Sequence, residues 1–238
     1  MIEKEQALLA QVVDLFARTF DKKAILRGGM VLRILGSERL TNDIDYVFVP
    51  YRSKKDIVGE IVKCLKSIKG AVVEYSLNSK CLRAVVTVDQ TTIQVEAKVA
   101  LEMRTAMAST RLFSPRFNLP RRIIPVVDHS IALANKMAAW NERRLIRDLY
   151  DIWFYLQMQV VPDAETLRSR LRRPCYSKLV KKEDHFVGGT INEFYDFLRA
   201  QAAGLSDDDI RKAMADYLPP DETVGLAMQI RAALARLR

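Results

Sequence analysis

The sequence predicts an α+β fold in which a mixed sheet flanked by helices is followed by an α-helical C-terminal domain. Short runs rich in β-forming residues are confined to residues 24–127, and apolar residues at helical spacing precede and interrupt them. From Ser130 onward every segment has a helical pattern. We therefore predict two domains, residues 1–128 and 129–238, without a linker rich in Gly or Ser.

The elements of the first domain follow from periodicity and breakers. Residues 3–20 predict an amphipathic helix, and a second one follows Pro50 at residues 54–68. Strands are predicted at residues 71–77, 81–88 and 91–99, with Asp89-Gln90 as a hairpin turn between the last two. Residues 100–120 predict a loop with a short helix. Residues 123–127 predict at best an edge strand, because Pro125 interrupts the run.

Composition excludes several classes of protein. The chain has 238 residues with 49% hydrophobic content, enough for a buried core, and it contains no stretch of eighteen uncharged apolar residues. The charged beginning lacks the apolar region of a secretory signal. Three cysteines without Cys-x-x-Cys spacing and only two histidines predict neither a disulfide framework nor a zinc site. We expect a cytoplasmic protein without a membrane partner.

The formal net charge of +9 favours polyanionic partners such as RNA or nucleotide phosphates. An excess of Lys and Arg also occurs in proteins that bind no nucleic acid. The charge alone is thus compatible with RNA binding and does not establish it.

Residues 24–49 predict a strand, a glycine turn, a helix, a loop and a second strand. Gly28 and Gly29 lack a Cβ, so the turn can adopt positive φ and bring backbone N–H groups close to a phosphate. On the second strand Asp43 and Asp45 share one face, because side chains alternate along a strand. Two neighbouring carboxylates are suited to a hard divalent cation, Mg²⁺ or Mn²⁺. A phosphate turn beside them predicts metal-assisted nucleotidyl transfer.

The pattern Gly28-Gly29, thirteen residues, Asp43-Ile44-Asp45 resembles the nucleotidyltransferase superfamily that includes polymerase β. The flanking residues, Leu-Arg-Gly-Gly-Met-Val-Leu-Arg and Thr-Asn-Asp-Ile-Asp, are similar to the AbiEii/AbiGii toxins of type IV toxin–antitoxin pairs. The resemblance implies transfer of a nucleoside monophosphate from a nucleoside triphosphate to RNA, most plausibly the tRNA 3′ end. It also implies a separately encoded antitoxin.

The resemblance further implies a third acidic residue on a later strand, and Glu96 occupies that place. Asp is commoner there in the family. The alternative is that Glu96 is an exposed strand residue that pairs with Lys98 or Lys80. Arg27 and Arg33 are predicted to assist the glycine turn in binding the nucleotide.

Residues 131–157 predict a single long helix on which Lys136, Trp140, Arg143, Arg147 and Asp151 form one stripe. The resemblance makes Lys136 a triphosphate contact, Asp148 a catalytic or positioning acid, and Arg147 a phosphate or substrate contact. The alternative is that Arg144–Asp148 and Arg147–Asp151 are ordinary helix ion pairs. The active site is expected in the cleft between the two domains.

Two features beyond this helix carry weaker signals. Residues 168–182 contain seven Lys and Arg with Tyr176 among them, which fits either RNA contacts or a solvated helix end. Gly188-Gly189 precedes Thr190 and Glu193, whose spacing predicts a capping box.

Three other functions remain open from the sequence. They are nucleotidyl transfer to a small molecule, transfer to a protein hydroxyl, and a non-catalytic RNA- or partner-binding module with the same fold. A small-molecule acceptor of the aminoglycoside type would need an acidic pocket, which this basic chain does not indicate. Metal binding by Asp43 and Asp45 distinguishes an enzyme from an inactive scaffold.

Overall fold

The computed structural model of the protein describes residues 2–238, and the packing of the chain divides it into two compact units. One unit ends at Asp128, and the other is His129–Arg238. The first contains all the strands of the described residues, whereas the second is helical. The predicted α+β architecture is confirmed. Within residues 2–238 no helix is both long and apolar enough to cross a membrane.

The first unit is built on a seven-stranded mixed sheet with the order β3-β4-β5-β2-β1-β7-β6. Its central strands β2 and β5 are parallel, and β1 runs antiparallel to β2 and parallel to β7. The strands are β1 (Ala24–Arg27), β2 (Asp43–Phe48), β3 (Val72–Leu77), β4 (Leu82–Val88), β5 (Thr91–Val99), β6 (Thr105–Ser109) and β7 (Ile123–Val127).

One face of this sheet is apolar and the other carries charged residues near its centre. Helices α1 (Ile2–Phe20), α2 (Gly29–Ile34) and α3 (Val58–Lys66) contribute to the core on the apolar side. Phe16 of α1 packs against Tyr46 and Phe48 of β2, with ring centroids 4.9 and 5.9 Å apart. Because residues alternate along β2, this packing turns Asp43 and Asp45 to the opposite face.

The segment between residues 100 and 127 corrects two predictions. Thr105–Ser109, predicted as loop, is strand β6, and its small residues give no apolar alternation that would reveal it. Strand β7 is an interior strand, because it pairs with both β1 and β6. The prediction of an edge strand was wrong, because other residues of β7 pair on both sides although Pro125 has no N–H to donate.

The second unit consists of helices α4 (His129–Arg143), α5 (Ile146–Gln157), α6 (Ala164–Arg172), α7 (Ile191–Ala202), α8 (Asp207–Ala213) and α9 (Leu226–Leu234). The prediction of one helix over residues 131–157 is therefore wrong. Arg144 has a φ of +52°, so the helix ends there, and the chain turns before α5 begins. The capping box of Thr190 and Glu193 is confirmed at the start of α7.

Candidate active site

The glycine turn lies between β1 and α2 and requires both glycines. Gly28 has a φ of +77°, and a Cβ built on it would lie 2.5 Å from Oδ2 of Asp45. A Cβ on Gly29 would lie 2.5 Å from an Nη of Arg39 and 3.1 Å from Oγ1 of Thr41. A contact of 2.5 Å is too short for any real side chain, so the backbone of Gly28 lies directly against the Asp45 carboxylate. The turn and the aspartate strand thus form one local structure.

The two predicted metal ligands lie on β2 and remain partly exposed. Asp43 and Asp45 are two residues apart on the charged face of the sheet, and both are half-buried. Thr41 Oγ1 donates a hydrogen bond of 2.7 Å to Oδ1 of Asp43, which fixes that carboxylate from the loop before the strand. The second oxygen of the Asp43 carboxylate offers lone pairs for a cation.

Asp45 belongs to a row of four charged residues that crosses the centre of the sheet. Arg27 of β1 is in register with Asp45, Asp45 with Glu96 of β5, and Glu96 with Arg83 of β4. Residues in register share a face, so the two carboxylates lie side by side in this row with an arginine on the outer side of each. The flanking arginines offset part of the repulsion between the neighbouring carboxylates.

Glu96 is held by Arg83 and not by either predicted lysine. Its Oε1 accepts hydrogen bonds from Arg83 Nε at 3.1 Å and Nη2 at 2.8 Å, and from Gln94 Nε2 at 2.9 Å. The alternative pairing with Lys98 or Lys80 was wrong, because Arg83 lies directly opposite in the antiparallel register. Among residues 2–238 no group of three His, Cys, Asp or Glu side chains is placed to hold a metal ion. The structure therefore does not assemble the three-carboxylate site predicted from the sequence.

The two aspartates fit a metal ion of a particular kind. Mg²⁺ is usually held by one or two carboxylates while substrate phosphates and water supply the other ligands. Asp43 and Asp45 meet that requirement with two carboxylates on one strand face, and the Gly28 backbone lies directly against the Asp45 carboxylate. Thiolates or imidazoles, which softer metals prefer, are not part of the site.

Arg27 and Arg33, both predicted to bind the nucleotide, have different surroundings. Arg27 ends β1 on the charged face and is half-buried. Arg33 is buried: its Nη1 donates to the Ser37 carbonyl at 2.5 Å and lies 3.6 Å from Oε2 of Glu38. The structure thus gives Arg33 the role of fixing the turn after α2, which the sequence prediction did not include.

The predicted cations of the second unit are fixed by buried acids across the turn between α4 and α5. Lys136 Nζ lies 2.5 Å from Oδ2 of Asp151, whose side chain is 1% exposed. Arg143 forms two hydrogen bonds with Asp148, at 2.8 and 2.7 Å, and that carboxylate is likewise enclosed. Of the ion pairs considered from the sequence, Arg144–Asp148 does not form because Arg144 lies at the helix break, where it donates to the Asp184 carbonyl. Arg147–Asp151 does not form although both residues lie on α5, and Asp151 pairs with Lys136 instead.

The enclosure of Asp148 favours the positioning role among the two roles predicted for it. An acid that is 1% exposed and bonded twice to a guanidinium is suited to orienting that group. Burial lowers the pKa of Arg143, but the hydrogen bonds and charge of Asp148, with Asp151 and Glu142, outweigh it and raise the pKa. Arg143 therefore stays a cation, with 35% of its side chain exposed.

Arg147, predicted as a phosphate contact, lies on α5 beside Tyr217. Its Nη1 is 3.5 Å from the Tyr217 hydroxyl, and its guanidinium carbon is 5.8 Å from the centroid of that ring. The residue is half-buried, so it has an exposed fraction that can meet an anion.

The comparisons with known proteins bear on this arrangement. The sequence model of the family described as "Nucleotidyl transferase AbiEii toxin, Type IV TA system" matches residues 12–236. The chain belongs to this AbiEii family. It is accordingly a nucleotidyltransferase of the toxin–antitoxin class, and the resemblance read from Gly28-Gly29 and Asp43-Ile44-Asp45 is confirmed.

Solved structures similar to this AbiEii protein share its fold at low sequence identity. JHP933 from Helicobacter pylori is 12% identical with a TM-score of 0.54, covering 98% of this chain and 90% of that one. The nucleotidyltransferase toxin MenT4 from Mycobacterium tuberculosis is 17% identical with a TM-score of 0.54, covering 99% and 92%. At these identities the likeness shows the fold. No curated protein sequence matches the chain significantly.

Sequence reasoning did not identify three contacts made to the predicted site residues of this AbiEii protein. Asp151 holds Lys136, Arg143 is held by Asp148, and Arg83 holds Glu96. The signal for Arg83 was present, since the Asp89-Gln90 hairpin fixes the register that places it opposite Glu96. The other two pairs depend on the break at Arg144, which no residue such as Gly or Pro marks in the sequence.

Proposed function

We propose that this AbiEii protein transfers a nucleoside monophosphate from a nucleoside triphosphate to a hydroxyl of RNA, at the 3′ end of a tRNA. The observation that carries the proposal is the contact between the Gly28 backbone and the Asp45 carboxylate, with Asp43 on the same strand face. The glycine turn proposed to bind phosphate and the aspartates proposed to bind the cation are thereby adjacent. The reaction depends on Mg²⁺ or Mn²⁺.

The reaction forms a bond between the acceptor oxygen and the α-phosphorus and breaks the bond from that phosphorus to the bridging oxygen. Pyrophosphate leaves, and the proton of the acceptor hydroxyl must be removed. A divalent cation bound by Asp43 and Asp45 would neutralise phosphate charge and acidify that hydroxyl. Glu96, in register with Asp45, is the proposed proton acceptor, with Arg83 holding its carboxylate in place.

Cations of the second unit are proposed to bind the triphosphate. Two aspartates with their cation do not neutralise four negative charges, so further positive groups are needed. Lys136, Arg143 and Arg147 supply them, and two of the three are already oriented by buried acids. Orientation before binding lowers the entropy lost when a phosphate is bound. In the first unit, the backbone at Gly28 and Gly29 and the Arg27 side chain are proposed to bind nucleotide phosphates.

RNA as the acceptor is supported by the distribution of charge. Residues 1–128 contain 21 Lys and Arg against 14 Asp and Glu, and the whole chain carries a net charge of +9. A net positive charge of this size attracts a polyanion from a distance and repels a cationic small molecule such as an aminoglycoside. In the cytoplasm the activity would harm the host cell, so we propose a separately encoded antitoxin as a protein partner.

The experiment incubates the protein with each α-³²P-labelled nucleoside triphosphate, Mg²⁺ or Mn²⁺, and total RNA. We expect label in a tRNA-sized band, no label from the γ-³²P nucleotide, and loss of the band in Asp45→Asn. Asp89→Asn is the matched control, because it makes the same chemical change at an exposed acid of the same unit.

Two outcomes would contradict the proposal. Equal labelling by wild type and Asp45→Asn would show that the strand aspartate takes no part. Label on protein and none on RNA would indicate the protein-hydroxyl reaction instead.

A further inference from the structure

A strongly basic segment in the second unit has no part in the site described above. Residues 129–238 contain 17 Lys and Arg against 15 Asp and Glu, a net charge of only +2. Seven of those 17 cations lie between Arg168 and Lys182, a stretch with no Asp or Glu. The positive charge of this unit is therefore concentrated in one short segment, and the rest of the unit is net acidic.

The first half of the segment is the exposed side of α6. Arg168, Arg172 and Arg173 are exposed, and with Glu165 and Ser169 they border a depression of about 390 Å³. Within residues 2–238 none of these three arginines forms an ion pair, whereas their neighbour on the inner side, Arg170, binds Glu142 and Asn135. Three unneutralised guanidinium groups around one depression are an arrangement suited to phosphate groups.

The second half is a loop that is tied to α4 near its beginning. The Cys175 N–H donates to Oε1 of Glu142 at 2.9 Å, and Ser177 Oγ donates to the Glu142 carbonyl at 2.7 Å. Glu142 is buried and also binds Arg170, so one acidic residue joins α4, α6 and the loop.

The same loop is tied again after its last cation. His185 is buried, and its Nδ1 donates to the Lys181 carbonyl at 2.8 Å. The Phe186 N–H donates to Oδ1 of Asn141 at 3.0 Å. A loop held at both ends presents its side chains in a fixed arrangement, and less entropy is lost when they bind a partner.

The loop exposes one aromatic ring among its lysines. Tyr176 is 49% exposed, and Lys182 Nζ lies 5.3 Å from its ring centroid. Lys178 and Lys181 are exposed on the same loop. An exposed aromatic ring on a loop that also carries several cations is the arrangement by which proteins stack a base of a single strand while neutralising its backbone.

We propose that residues 168–182, here called the 168–182 surface, bind a single-stranded segment of the acceptor RNA, with arginines and lysines on its phosphates and Tyr176 on a base. This inference rests on the proposed function for the identity of the acceptor. RNA is favoured over an acidic protein or an anionic membrane because an accessible ring among cations matches a base and its phosphates together.

The test measures binding of fluorescein-labelled single-stranded RNA to the full chain by anisotropy, without nucleotide and at about 100 mM salt. Arg172→Glu/Arg173→Glu is expected to weaken binding at least about tenfold and to reduce the salt slope by roughly 1.4. Tyr176→Ala is expected to weaken it about fivefold. Lys63→Glu/Lys66→Glu on α3 makes the same change in net charge at exposed residues and is expected to stay within about twofold of wild type.

Equal loss of affinity in both charge-reversal variants would overturn the proposal, since it would show a response to net charge alone. Unchanged affinity in Arg172→Glu/Arg173→Glu would overturn it as well. Competition by poly-L-glutamate, or by phosphatidylserine-containing vesicles, as effective as unlabelled RNA at equal charge would assign the surface to another polyanion. If the arginine variant does not fold, Lys178→Glu/Lys182→Glu carries the same expectation from the loop.

A second readout separates this proposal from the proposed function. Filter binding of α-³²P nucleoside triphosphate is expected to be the same for wild type and Arg172→Glu/Arg173→Glu, because the surface does not bind the nucleotide. If no RNA is ever labelled but RNA binding still depends on residues 168–182, the proposed transfer reaction is refuted and the proposed RNA-binding surface remains. If RNA is labelled while Arg172→Glu/Arg173→Glu and Tyr176→Ala bind RNA as wild type does, the proposed RNA-binding surface is refuted and the proposed reaction remains.

Discussion

The two units of this AbiEii protein use carboxylates in opposite ways. Asp43 and Asp45 of the first unit lie partly exposed on a strand face, beside a glycine turn. Asp148 and Asp151 of the second unit are buried and each holds a cation. A buried carboxylate is stable only with a partner, so the second pair is committed to orienting Arg143 and Lys136. All four residues are aspartates. Their burial and their bonding partners distinguish those that can bind a metal ion from those that orient a Lys or Arg side chain.

The first and largest effect is expected at the contact between the glycine turn and Asp45. Gly28→Ala places a methyl group 2.5 Å from the Asp45 carboxylate at a φ of +77°, so the carboxylate or the turn must move. Displacement of a catalytic group by about 1 Å can reduce the rate about 100-fold, and we expect at least that loss in kcat/KM.

Gly59→Ala is the matched control, because apart from the neighbouring backbone of its own helix no atom lies within 4 Å of the added Cβ, and the residue is in the first turn of α3. This control is expected to keep full activity and gain about 0.5–1 kcal/mol of stability. Wild-type kinetics in Gly28→Ala would show that the contact with Asp45 has no catalytic importance.

The second effect concerns stability and the buried acid of the helical unit. Asp148→Ala leaves Arg143 without its two hydrogen bonds, and we expect a loss of about 2–3 kcal/mol in the free energy of unfolding, measured with urea. The value lies below that for a fully buried pair because Arg143 is 35% exposed and water screens it. Asp196→Ala, which breaks a pair with Arg199 at an acid 73% exposed, is expected to change little. Equal losses in the two variants would contradict the distinction.

The third prediction separates the structural and functional parts of Lys136. Lys136→Met should destabilise the protein by leaving Asp151 buried without its ammonium partner, and it should raise the KM for the nucleotide about tenfold. Lys136→Met/Asp151→Leu removes both charges, so we expect stability to recover while KM stays high. Recovery of KM in the double variant would mean that Lys136 serves only to neutralise Asp151.

The smallest effect is expected at Arg83, which is 50% exposed in its pair with Glu96. As a positioning residue it should influence kcat and not nucleotide binding, so Arg83→Gln is expected to lower kcat about threefold with unchanged KM. Arg83→Lys should restore part of the rate by keeping the charge. Arg52→Gln, at another exposed arginine of the same unit, serves as control. A higher kcat in Arg83→Gln would show that Arg83 restrains Glu96 and does not assist it.

Much of the first unit was predictable because strand patterns carry local information. Alternation placed Asp43 and Asp45 on one face, and the hairpin at Asp89-Gln90 identified two of the strands. Strand β6 was not predictable, since Thr105–Ser109 becomes a strand only by pairing with β7. The grouping of Glu96 with the aspartates also failed, because sequence alternation gives a face but not the direction in which a long side chain leans.

The second unit was less predictable because its ion pairs depend on a turn. Arg144 adopts a left-handed conformation without a Gly or Pro to mark it, so a continuous helix was the simpler interpretation. That one residue decides whether Lys136 meets Asp151, fifteen positions away. Caps with side-chain signatures, such as Thr190 with Glu193, were predictable since two residues three positions apart specify them.

The central claim is that Asp43 and Asp45 form the cation site of the enzyme, and divalent-ion binding tests it without requiring turnover. Calorimetric titration of Mn²⁺ into the protein with a non-hydrolysable nucleoside triphosphate is expected to show a site that Asp43→Asn/Asp45→Asn weakens at least about tenfold. Asp89→Asn should bind as wild type does. Unchanged Mn²⁺ affinity in the double variant would contradict the claim.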